Sequence, residues 1–75
     1  MLLTKQIQSS LIREVSYQPE DKVLTVIFNK GGKYRYHSVG EDVYNELVNA
    51  TSVGKYFHSF IKGRYETVNL GKAGE

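Results

Sequence analysis

An α+β fold is predicted: a three-stranded antiparallel β-meander packed by two short C-terminal helices, with room for a short fourth strand near Tyr65. Three observations carry this expectation. Residues 22–29 are β-branched and aromatic with alternating faces, Lys30-Gly31-Gly32 separates them from a second alternating run, and after Gly40 the apolar spacing becomes helical.

The first strand is expected from Leu11 to Tyr17. Ser9 and Ser10 precede it, and Gln18-Pro19-Glu20-Asp21 follows as a turn with proline at its second position. Lys22 to Asn29 is the clearest strand, with Leu24, Val26 and Phe28 on one face and Val23, Thr25 and Ile27 on the other. Lys33 to Ser38 returns as the third strand. A three-residue loop of Lys30, Gly31 and Gly32 would set Phe28 opposite Tyr34 and Val26 opposite Tyr36, pairing aromatic with aromatic or β-branched residues.

Glu41 and Asp42 open the first helix, where carboxylates suit the positive end of the helix dipole, and Val43, Tyr44, Leu47, Val48 and Ala50 form its apolar arc. Ser52 is the expected N-cap of the second helix. Its inner stripe is Val53, Tyr56, Phe57, Phe60 and Ile61, its outer edge is Lys55, His58, Ser59 and Lys62, and Gly63 suits a left-handed C-cap. The chain therefore divides into a lead-in over 1–8, one domain over 9–68 and a flexible tail over 69–75.

Seventy-five residues suffice for one small domain, which buries only roughly 60% of the surface its unfolded chain exposes. With 40% hydrophobic and 24% charged residues the chain should fold, and with no cysteine it has neither a disulfide framework nor a thiolate metal site. A cytoplasmic location is expected, since the apolar start at Met1-Leu2-Leu3 turns polar too soon for a signal peptide or a membrane span.

No catalytic constellation is legible. His37 and His58 stand outside any nucleophile motif, and two histidines without cysteine do not supply the three or four converging ligands of a zinc or iron site. Neither an enzymatic activity, a cofactor nor a metal is expected. Gly31-Gly32 joins two strands, so it is a hairpin turn and not a phosphate loop.

Binding remains. The net charge is only +2, but residues 22–40 and 51–65 carry cations and no acid, while Glu41, Asp42 and Glu46 lie between these blocks. Lys30, Lys33, Arg35, His37, Lys55, Lys62 and Arg64 are the candidate contacts to RNA or DNA, or to a nucleic-acid-processing protein. Tyr34 and Tyr36 would stack on bases, or, being in phase with Val26 and Phe28, belong to the core. The alternative is a protein-only adaptor or inhibitor of phage type that binds through the Val23, Thr25 and Ile27 face, with weak self-association.

Taken in order, Ser9-Ser10, Ile12, Val15 and Tyr17; Leu24, Val26 and Phe28; Gly32, Tyr34 and Tyr36; Val43, Tyr44 and Leu47; then Ser52, Gly54, Tyr56, Phe57, Ile61 and Tyr65 resemble the KTSC domain. The resemblance spans about Ser9 to Tyr65. It implies a small module of the kind found at the end of some lysyl-tRNA synthetases and in short bacterial and phage proteins. It implies an association with nucleic acid and supplies no catalytic residues. Gly54 near the start of a helix costs roughly 1 kcal/mol against alanine, so close packing of the backbone is expected there.

Overall fold

A sheet needs one face covered, and the residues that alternate inward along the strands decide which. The computed structural model describes residues 1–72, and among them the chain runs β1 (Leu3–Gln6), β2 (Ile12–Gln18), β3 (Val23–Phe28), β4 (Gly32–Tyr36), α1 (Glu41–Asn49), α2 (Val53–Phe60) and β5 (Thr67–Lys72). The strands form one antiparallel sheet in the order β1-β2-β3-β4-β5. The fold is α+β with two helices, as expected, but the sheet has five strands rather than three or four.

Both additional strands lie at the edges. Leu3–Gln6, expected as part of a lead-in, pairs with β2 and places Leu3 opposite Tyr17. The expected tail from residue 69 is corrected in the same way: Asn69 pairs with Tyr34 and Lys72 with Gly32 within β5, while residues 73–75 lie outside the described residues.

The hairpin register also differs. Val26 stands opposite Tyr34 and Leu24 opposite Tyr36, two residues from the expected pairing, so every side chain keeps its predicted face. The reason is the turn. Gly31 takes φ +100° and its N–H donates to the Phe28 carbonyl at 2.8 Å, so the loop is Asn29-Lys30-Gly31 and Gly32 already belongs to the strand.

Ile12, Val15, Tyr17, Leu24, Val26 and Tyr36 project from the sheet into one core with Val39, Tyr44, Leu47, Phe57 and Ile61. Both helices therefore cover the same face. Phe60, expected in that inner stripe, is 55% exposed and leans against Tyr56, with ring centroids 4.7 Å apart. It lies on the solvent side of the last turn, beyond the reach of the sheet.

Ser52 caps α2 as predicted, its Oγ accepting from the Lys55 N–H at 3.3 Å. Gly63, at φ +76°, takes the left-handed conformation after the helix end. A Cβ on Gly54 would meet Leu11 Cβ and Ser9 Oγ at 3.5 Å, so the helix start lies close on the segment leading into β2. Ser52→Ala is expected to lower unfolding free energy by about 1 kcal/mol in urea titrations. An unchanged midpoint would mean that the cap contributes nothing.

Candidate functional site

The inward side of the sheet does not close completely where the β3–β4 hairpin meets the end of α2. Phe28 and Tyr34 are only half-buried there, whereas Tyr36 and Phe57 are buried and form the floor. The four rings meet edge to face: Phe28 with Tyr34 at 5.6 Å, Phe28 with Phe57 at 5.3 Å, and Tyr36 with Phe57 at 5.6 Å between centroids. The result is an open groove of about 470 Å³ whose far wall carries His58, Lys62 and Thr67. A smaller extension past Leu11 reaches Asn29 and Lys30 on the hairpin turn.

The groove is therefore aromatic along its length and basic at both ends. Among the described residues, no carboxylate lines either stretch. Burial, with a smaller contribution from neighbouring Tyr34, pushes the Tyr36 hydroxyl up to about 12, so that ring adds no negative charge near neutral pH.

The structure separates the predicted cations. Lys30 and Lys62 flank the groove. Lys33 and Arg35 stand opposite Ile27 and Thr25 on the other face of the sheet, and the side chain of Arg35 is exposed. His37 follows β4, its N–H donating to the Glu66 carbonyl at 2.9 Å. Lys55 is exposed in the first turn of α2, and Arg64, also exposed, donates from Nε to the Ser59 carbonyl at 3.1 Å. Among the described residues the ion pair within 4.0 Å joins the Met1 amino group to Glu20, so none of these cations is neutralised by a described carboxylate at that distance.

The outer face carries Val23, Thr25 and Ile27, all half-buried by their cross-strand neighbours, beside Val68, which is 41% exposed and opposite Arg35. β1 and β5 widen this face instead of folding over it. Charge and periodicity indicated the cations and the two tyrosines, but not Leu11, Asn29 and Thr67 as groove-lining residues. Only the three-dimensional meeting of hairpin and helix brings these together.

A family model described as the KTSC domain matches residues 8–65. The chain belongs to the KTSC domain family. Among its curated relatives is the lysine–tRNA ligase of Trichormus variabilis, 42% identical over 63 residues; the match takes in 84% of this KTSC chain and 11% of the ligase. The chain thus spans about a tenth of the ligases it matches. A Stutzerimonas stutzeri protein is 37% identical over 59 residues, covering 79% of this chain and 83% of its own length. The crystal structure of a KTSC domain protein from Yersinia pestis superposes with a TM-score of 0.89 at 28% identity, over 95% of this chain and 100% of that one. The helix-capped sheet is thus the KTSC architecture, and β1 and β5 lie outside the segment that the family model matches.

Proposed function

We propose that this KTSC domain is a non-enzymatic binding module that contacts nucleic acid through the basic groove side, with Lys30, Lys62 and the adjacent Arg64 meeting phosphates. The observation that carries this reading is the placement of cations at both ends of an aromatic groove with no acid among the described residues of its lining. The likeness to a lysine–tRNA ligase supports it, because the name of that relative includes an RNA. Lys33, Arg35 and His37 lie elsewhere and are assigned no direct part in the groove.

The outer face favours a second reading. Val23, Thr25 and Ile27 on an uncovered sheet face, bordered by Lys33 and Arg35, suit a protein partner, including one that processes nucleic acid.

Retention of single-stranded oligonucleotides across a salt series distinguishes the two. If three phosphates are neutralised, log affinity should fall against log salt with a slope of about −2. Lys30→Glu with Lys62→Glu should weaken binding by about tenfold or more, while Lys33→Glu with Arg35→Glu changes it little. Salt-insensitive association that is lost in Ile27→Asp would instead establish the protein interface.

A further inference from the structure

We propose that the groove between the β3–β4 hairpin and α2 holds one unpaired base of a single-stranded nucleic acid, stacked on Tyr34, with Lys30 and Lys62 taking the flanking phosphates. This rests on the nucleic-acid reading above and names the part of the ligand that the groove itself takes.

The ring geometry is the first support. Edge-to-face contacts fix Phe28 against both Tyr34 and Phe57 without covering the rings by parallel stacking. By contrast, Tyr17 and Tyr44 inside the core lie nearly parallel, 11° apart with centroids at 4.9 Å, and use their faces on each other. Tyr34 is half-buried and lines both stretches of the groove, so part of its ring surface is accessible from the groove. A planar, polarisable guest matches such a ring surface.

Size and charge narrow the guest further. A cleft of about 470 Å³ lies within the roughly 300–1,000 Å³ of small-ligand sites, which suits one base and its sugar. Lys30 at one end and Lys62 beside His58 at the other provide a cation for the backbone on each side of that base. An uncharged apolar guest would leave both lysines without a role, and an acidic peptide would leave the ring faces unused.

Two of the polar side chains in the lining already spend a donor within the chain. The Asn29 amide already donates to the Ser9 carbonyl at 2.6 Å, and the Thr67 hydroxyl donates to the Tyr65 carbonyl at 2.9 Å. If stacking on Tyr34 supplies most of the contact, binding should tolerate different bases, because every base presents a ring face.

The chain has six tyrosines and no tryptophan, so intrinsic fluorescence reports on tyrosine alone. The test titrates a short single-stranded deoxyadenylate, and separately the same backbone with every base removed, against the intact domain. The base-bearing strand should bind roughly tenfold more tightly and quench emission. Tyr34→Leu, checked for folding by thermal melting, should erase that difference while leaving the weaker, salt-sensitive binding to the abasic strand.

Equal affinity for the two strands overturns the stacking proposal and leaves phosphate binding standing; this comparison uses the unaltered protein and does not depend on a folded variant. If neither strand binds, both the proposal and the reading beneath it fail. Deoxyadenosine monophosphate binding as tightly as the strand would overturn the assignment to a strand and make the guest a single nucleotide.

Discussion

Phe57→Ala should be the most damaging single substitution in the helices, lowering unfolding free energy by about 3–5 kcal/mol. Phe57 is 3% exposed and its ring meets both Phe28 and Tyr36 edge to face, so it joins α2 to two strands at once. Truncation removes those contacts and leaves a cavity that the sheet cannot fill without distorting its hydrogen bonds. A domain of 75 residues has a total stability of about 4–11 kcal/mol, so much of that margin would go. Urea unfolding followed by circular dichroism measures the effect, with Phe57→Leu as a milder control. A loss below about 1 kcal/mol would mean that α2 is held mainly elsewhere.

Tyr17→Phe should cost about 1–3 kcal/mol despite leaving the ring in place. The buried Tyr17 hydroxyl donates to the Val39 carbonyl at 2.5 Å, tying β2 to the segment that carries the chain from β4 into α1. That segment is costly to hold. Ser38 sits at φ +62°, in the left-handed region that favours glycine, and the Val39 N–H donates back to the Lys22 carbonyl at 2.9 Å. Removing the hydroxyl leaves a buried carbonyl without this donor, while the stack on Tyr44 persists, so the variant isolates the hydrogen bond. Burial first, and then the nearby Glu41 and Asp42, raise the pKa of this phenol, so the donor proton is retained at neutral pH. An unfolding midpoint equal to that of the parent would show that the bond contributes no net stability.

The strands and helices that bury apolar residues were legible because burial leaves a period in the sequence. Leu24, Val26 and Phe28 alternate, and the Ser52 to Gly63 segment carries its own cap and stop. The edge strands leave almost none. β1 is four residues long with only Leu3 partly buried, and in β5 only Leu70 is. Phe60 shows the opposite failure: an aromatic residue at a helical interval need not face the core once the helix has reached the sheet's margin.

For the candidate site, sequence gave the sign of the charges but not their sides. Lys30 and Lys33 are three residues apart, yet one lies on the turn beside the groove and the other on the outer face, because Gly31 fixes where the turn ends. The hairpin register thus assigns these cations to different surfaces. No local pattern around Lys33 reveals that separation.

The strand order has a kinetic meaning. β1, β2 and β3 each pair with the next segment of chain, whereas β4 must wait for β5 until residues 37–66, which include both helices, have been gathered in. Closing that loop carries an entropic cost that the short hairpins avoid. With no fully buried side chain to hold it, β5, like β1, is prone to detach in local opening events. Because Thr67, its first residue, also borders the aromatic groove, the groove's outer margin would open and re-form with the last strand to join the sheet.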